Sequence, residues 1–458
     1  MLTDIKNKLL AVTLLDGRNR DKMQYVSEYF SELALIKYRV RVEISYLIFL
    51  TKETKIIRNL NQKEISFLQN IWQKFNIEDA IKVKEFEAKI NHDVKAIEYF
   101  LQQKLEKTSL FDIIPFIHFG LTSYDVNIPS YALMLSDFRK NVFTPIFDKL
   151  LKSLLELIIK TKGMNMLAKT HGQPALPTTM SKELTVYYQR LKKERKIFTS
   201  TAIEAKVTGA VGNFNALQFS VPHADWILLS KKFIQSLGLV PNIFTTQILP
   251  YDSWLQLFDS IKRTNNILLG FVQDIWWYIS FEYFVQKIKL DEVGSSTMSH
   301  KVNPITFENA EGNLGMANAI FEFFTRKLSY SRLQRDLSDS TVKRNFGLAF
   351  GFTILSWDSI LSGFSRISPN PVKMKEDLNN HWEIFAEGIQ TYLRAKGYKA
   401  AFELLKEKTR GKFLGKEEIY KLINDLPISN QDKKKLKIKD LSEYAGLAEK
   451  LAELAIEE

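Results

Sequence analysis

The sequence predicts an all-α fold, and three observations carry that expectation. Apolar residues recur at three- and four-residue steps along most of the chain, no run of alternating strands interrupts them, and no internal repeat is present. The patterned stretches are long, so the expected architecture is a bundle of unusually long helices. The first clear one starts at Pro145, a residue suited to the first helical turn. Ile146, Phe147, Leu150, Leu151, Leu154, Leu155, Ile158 and Ile159 make one wide apolar face, and Gly163 stops the pattern. The spacing predicts a second helix over 181–206. A third is expected over 266–286, buried on all sides, because Gln273, Asp274 and Glu282 make it too polar to cross a membrane. A fourth is expected over 309–327. Breaks fall at residues 112–115 and at Ser368-Pro369-Asn370-Pro371, since each proline turns its predecessor away from helix. They divide the chain into an N-terminal helical domain (1–111), a central long-helix domain (112–367) and a C-terminal helical domain (368–458). The Lys- and Glu-rich tail after Lys399 reads as a solvated helical surface.

Composition narrows the class. With 458 residues, 45% of them hydrophobic and 25% charged, the chain can bury a large core and lies far from the signature of disorder. Zero cysteines exclude disulfides, thiolate metal sites and cysteine nucleophiles. The first residues lack the apolar core of a secretory signal, so a cytoplasmic setting is expected. Lys+Arg 64 against Asp+Glu 52 leaves a net charge of +12, which suits an anionic partner of some kind. No nucleic-acid motif accompanies that charge, and no His-x-x-x-His or carboxylate cluster points to a metal.

The segment with most chemistry is Gly294-Ser295-Ser296-Thr297-Met298-Ser299-His300-Lys301-Val302-Asn303-Pro304, followed by Phe307-Glu308-Asn309. Small and hydroxylated residues, with a lysine and an asparagine, suit a loop that closes over an anion. It resembles the GSSxMPxKxNP signature of the fumarase/aspartase superfamily of lyases. Further segments resemble the branch of that superfamily that acts on succinylated purine nucleotides: Asp16-Gly17-Arg18, Asn91-His92-Asp93-Val94-Lys95-Ala96, Thr122-Ser123, Thr170-His171-Gly172-Gln173-Pro174, Gly209-Ala210-Val211-Gly212-Asn213, Thr245-Thr246-Gln247, and Arg335-Asp336 through Asp339-Ser340-Thr341-Val342 to Arg344-Asn345. The likeness continues through His381-Trp382-Glu383, so nearly the whole chain is covered. It implies a three-domain, all-α, fumarase/aspartase-like fold whose central long-helix bundle forms the core of a homotetramer, with each active site shared among subunits.

The implied reaction is β-elimination of fumarate from adenylosuccinate, giving AMP, and from succinylaminoimidazole carboxamide ribotide. Such an elimination takes a proton from the carbon next to a carboxylate while the departing nitrogen is protonated on the other side. The negative charge that develops on that carboxylate needs fixed donors and cations, and Lys301, Asn303, Thr122 and Ser123 are groups of the right type. By the resemblance, Ser295 is the base, acting as an alkoxide, and His171 the acid with His92 beside it. A serine can be a base only if a closed loop stabilises the alkoxide through backbone N–H groups and a cation such as Lys301. Arg18, Arg335 and Arg344, with Ser340, would grip the nucleotide phosphate or its neighbours, because a guanidinium offers paired donors to oxyanions. Gln247 would meet the fumaryl portion, and Asn19, Asn91 and Asp93 complete the expected substrate-binding set.

No cofactor and no metal is expected, since acid, base and cations all come from side chains. His223 and His381 are given no catalytic role, and His118 and His300 read as structural, although the loop position of His300 would let it reach the site. Two departures stand out: Ser299 replaces the signature proline and removes a restraint on φ, and Asn19 follows Arg18 where the family has tyrosine. Alternatives are another fumarate-releasing lyase, such as argininosuccinate lyase, aspartase or fumarase, and a helical scaffold without catalysis. The expected partner is a small-molecule substrate, with neither nucleic acid nor membrane.

Overall fold

The computed structural model describes residues 2–287, 298, 300–399, 401–409, 411 and 414–457. Ser295 and Ser299 lie outside the described residues. Helices dominate, as the periodicity predicts, and the longest are Glu32–Glu53, Met180–Ser200, Asp252–Ser280, Ile305–Lys327 and Phe346–Arg366. The helix expected from Pro145 is Thr144–Lys160, and Gly163 beyond it takes φ 72°. Ser123–Phe138 runs into it through a π-turn at Arg139–Phe143.

Three details differ from the periodicity. The helix expected over 181–206 stops at Ser200, after which Glu204–Ala205 pairs in parallel with Val240–Pro241. The helix expected over 266–286 begins at Asp252 and ends at Ser280, and Phe284–Gln286 is a strand paired antiparallel with Ile367–Pro369. Nor is that helix buried on all sides: Trp277 is 52% exposed and Trp276 is exposed beside it. The third difference is an antiparallel hairpin, Asn165–Thr170 with Gln173–Thr179, in a region the periodicity left unassigned. Among the described residues, the helical stretch Ser338–Arg366 holds an 18-residue window apolar enough to cross a membrane, and 67% of that window is buried inside the protein.

The chain forms two compact units. The first comprises Met1–Phe147, Glu194–Asn266 and Gly312–Ser356. Its centre is aromatic. Phe350 stacks on Phe30 at 4.8 Å and meets Phe138 edge-on at 5.0 Å, while Phe346 meets Phe258 at 5.0 Å and Phe324 at 5.1 Å. Edge-to-face pairs of this kind add to the burial of each ring. Helix starts here are capped: Ser31 accepts from the N–H of Ala34, and Asn61 and Glu64 bond reciprocally.

The second unit comprises Asp148–Lys193, Ile267–Glu311 and Trp357–Glu458. Leu167 of the hairpin is buried in one apolar cluster with Leu378, Trp382, Phe385, Ile389, Ile423 and Leu441. The hairpin therefore stands on a core built by the C-terminal segment of the same unit.

Candidate active site

In the first unit the site begins at the start of the helix Ser123–Phe138. Thr122 precedes it, and its N–H donates to Asp125 Oδ2 at 3.0 Å. Asp125 is wholly buried, and the Lys206 ammonium lies 2.9 Å from its Oδ1. Asp125 also accepts from the N–H groups of Thr208 (2.9 Å) and Gly209 (3.1 Å). Burial lowers the affinity of Lys206 for its proton, and Asp125 opposes that loss. Thr122 and Ser123 are thus held by a buried charge pair anchored to residues 206–209.

The next residue, Tyr124, is fixed from the other side. Its hydroxyl donates to Asp339 Oδ1 at 2.5 Å, and the Tyr251 hydroxyl donates to Asp339 Oδ2 at 2.7 Å. Lys343 bonds the same Oδ2 and donates to Tyr251 at 2.6 Å. Burial pulls the Lys343 pKa down to about 8 against the pull of Asp339. Burial also opposes charge on Asp339, but Lys343 and the two phenols outweigh it and hold the carboxyl below its usual range.

Arg335 lies over this cluster. Its guanidinium carbon is 4.0 Å from the Tyr124 ring centre, and Nη1 donates to Gln247 Oε1 at 2.6 Å. Gln247 Nε2 donates to the carbonyl of Ala210 at 2.9 Å. The hydroxyls of Thr208 and Thr245 are 2.7 Å apart. Close contact between these loops needs Gly212, at φ 87°, because a Cβ there would fall 2.0 Å from the Thr245 carbonyl oxygen. Four segments far apart in the chain, around 122, 209, 246 and 335, therefore share one corner. Among the described residues no carboxylate pairs with Arg335.

A second corner of the same unit holds His92, Asp93 and Arg344. Asn91 ends the helix Ile77–Ile90 in the left-handed region at φ 52°, and His92 caps the next helix, Asp93–Leu105. Nδ1 of His92 accepts from the Lys95 N–H at 3.1 Å, so in the neutral ring the proton sits on Nε2. Asp93 is 2.7 Å from Arg39 and 3.0 Å from Arg344. Burial opposes its ionisation, but the two guanidinium groups prevail and depress its pKa. Arg344 also bonds Glu32 at 2.6 Å. A cavity of about 220 Å³ brings Asp16 of the first motif to Arg344 and Asn345. Arg18 is exposed and Asn19 half-buried just before the turn Arg20–Lys22, and Ser340 is half-buried in the short helix Ser338–Lys343. His118, given no role above, has Nδ1 2.5 Å from the buried Glu43, which raises its pKa against the effect of burial.

In the second unit His171 and Gly172 form the two-residue turn of the hairpin, with Thr170 paired to Gln173. Both have positive φ, 55° and 73°, as the turn that matches strand twist requires. Few residues other than glycine take this conformation, and histidine is among those enriched in it. The turn holds the ring at the exposed tip of a braced strand pair. Lys301 is exposed and its N–H donates to the Met298 carbonyl, while Gln286 Nε2 donates to the Val302 carbonyl at 2.6 Å. Asn303 stands just before the helix Ile305–Lys327.

Sequence reasoning did not find Asp125, Lys206, Tyr124, Tyr251, Lys343 or Arg39, and it met Asp339 within a matched segment without giving it a role. The available signal was weak: Asp339 and Lys343 are spaced i, i+4 on one short helix.

The fold and the family-model match define a lyase. A model described as "Lyase" matches residues 17–319, and one described as "Adenylosuccinate lyase C-terminal" matches 331–445. Two solved structures share the fold at 15% identity. They are a fumarate lyase from Mesorhizobium sp. BNC1 (TM-score 0.74, 95% of this chain and 97% of that one) and a 3-carboxy-cis,cis-muconate lactonizing enzyme from Pseudomonas putida (TM-score 0.73, 94% and 96%). Relatives named adenylosuccinate lyase are far more similar in sequence. That of Buchnera aphidicola subsp. Baizongia pistaciae is 43% identical over 98% of both chains. That of Dictyostelium discoideum is 44% identical over 96% of this chain and 97% of the relative, and that of Escherichia coli K12 41% over 96% and 98%. The chain belongs to the adenylosuccinate lyase family.

Proposed function

We propose that this chain eliminates fumarate from adenylosuccinate to give AMP, and by the same chemistry from succinylaminoimidazole carboxamide ribotide. The observation that carries the reading is the corner at Arg335. It offers a cation that pairs with no carboxylate among the described residues, stacked on Tyr124 in the first turn of the helix that Thr122 and Ser123 begin, which is a setting for an anion. In the reaction Ser295 removes the proton next to the substrate carboxylate, and His171 protonates the departing nitrogen with His92 alongside. Lys301, Asn303, Thr122 and Ser123 hold the carboxylate on which charge develops. Arg18, Arg335, Ser340 and Arg344 hold the phosphate side, Gln247 the fumaryl side, and Asn19, Asn91 and Asp93 shape the remainder.

The active form is a homotetramer whose sites combine His171, His92 and Ser295 from different subunits, with parts bounded near 111 and 367. Apolar side chains left exposed on long helices support an assembly: Trp276 and Trp277 in one unit, Met316 and Phe323 in the other. A chain without cysteines suits the reducing cytoplasm.

The test is a fumarate-release assay with adenylosuccinate on the wild type and on Ser295→Ala. Release by the first and its loss in the second is the expected outcome. No release by the wild type, with release from argininosuccinate, aspartate or malate instead, overturns the reading.

A further inference from the structure

The reaction just described makes no use of Lys343 and Asp339, yet both are buried, with 1% and 8% of their side chains exposed. A buried ion pair is costly to desolvate and often no better for stability than apolar residues of the same size. Asp339 accepts both phenol hydroxyls, Tyr124 at 2.5 Å and Tyr251 at 2.7 Å, and Lys343 bonds Asp339 and Tyr251. The lysine ammonium also lies 4.6 Å from the Tyr124 ring centre. Arg335 stacks on the same ring at 4.0 Å and donates to the neutral amide of Gln247.

An ionised Asp339 accepts two phenols at once, one on each oxygen, which a protonated carboxyl does less well. Left unpaired, that carboxylate would attract the Arg335 guanidinium that lies one ring away. Paired with Lys343, it anchors the tyrosine without drawing the arginine inward. We propose that Lys343 is a positioning residue: by pairing with Asp339 it fixes the Tyr124 ring and leaves the charge of Arg335 free for the substrate anion. The proposal rests on the reading of Arg335 given above. Burial lowers the Lys343 pKa, and the Asp339 carboxylate 4 residues earlier opposes that fall.

The experiment compares Lys343→Met with the wild type for KM and kcat on adenylosuccinate, and repeats the substitution in an Arg335→Ala background. Lys343→Met should raise KM about tenfold or more and lower kcat far less, since it displaces a binding group and touches no reacting atom. In the Arg335→Ala background it should add nothing further. The same rise in both backgrounds, or none in either, overturns the proposal. Should Lys343→Met fail to fold, Tyr124→Phe carries the test, because it removes only the hydroxyl that Asp339 holds; an unchanged KM there overturns it equally. If the wild type releases no fumarate from adenylosuccinate, the functional reading has failed instead. A crystal structure of either variant then decides positioning alone, and an arginine still 4.0 Å over the ring rules it out.

Discussion

Arg335 rests on a tyrosine ring and a glutamine amide, whereas Arg344, later in the same segment, lies between the carboxylates of Glu32 and Asp93. The two corners differ in where their counter-charges sit. At Arg335 the nearby carboxylate, Asp339, is already matched by a buried lysine. On the proposed reading, a phosphate arriving at Arg344 must compete with two carboxylates. One contest is mild: the Arg344–Glu32 pair is 37% and 42% exposed, and exposed pairs are worth about 0–1 kcal/mol. Asp93 keeps Arg39, whose side chain is almost fully buried, so Arg344 can turn to a substrate without leaving that carboxylate unpaired. Residue type and motif made both arginines candidates for the site, but only their partners separate an uncommitted cation from a committed one.

The largest expected effect comes from striking the first corner through its backbone. In Gly212→Ala the new Cβ would meet the Thr245 carbonyl at 2.0 Å, at a φ that L residues avoid. The contacts that tie residues 208–212 to 245–247, and Gln247 to Arg335, cannot survive that approach. A loss of about 3 kcal/mol or more is expected, read by chemical denaturation, together with loss of fumarate release. A variant with wild-type stability and turnover would show that this apposition does not hold the corner together.

Next in size is the direct contrast. Arg335→Ala should lower kcat/KM for adenylosuccinate by about 10- to 100-fold, as expected for a charged hydrogen bond to substrate, and Arg344→Ala by less. Equal losses would erase the distinction. Acid stability should rank the two the other way. The pKa of Asp93 is depressed in the folded chain, so its contribution is present above the ordinary value of 3.8 and is lost as pH falls through the folded value. Arg344→Ala removes one of the two cations that depress it, so acid unfolding should begin at a higher pH. Arg335→Ala should leave that midpoint in place.

The contrast also marks how far the sequence could be read. The helix Thr144–Lys160 was legible because its apolar face repeats without interruption and a glycine closes it. The hairpin at 165–179 was not, since Pro174 and Pro177 fall inside its second strand and proline argues against a strand. Motif likeness located the segments around 122, 209, 246 and 335, and these share one corner. The pairing of charges could not be read. Glu32 and Asp93 reach Arg344, and Tyr251 reaches Lys343, from distant parts of the chain with no local pattern to announce them.

The smallest expected change in stability concerns the second corner and separates its two halves. His92 closes a helix start with Nδ1, and serine is at least as good a cap. His92→Ser should therefore alter stability by no more than about 0.5 kcal/mol. Because the cap occupies Nδ1, the ring points its Nε2–H away from the helix, where it can donate to a substrate group without any change of protonation. If His92 works beside His171, the serine variant should lose on the order of 100-fold in kcat while remaining as stable as the wild type. Full activity in a stable His92→Ser protein would reduce the residue to a cap. The second corner would then contribute only the Asp93–Arg344 pair, and the acid step would rest on His171 alone.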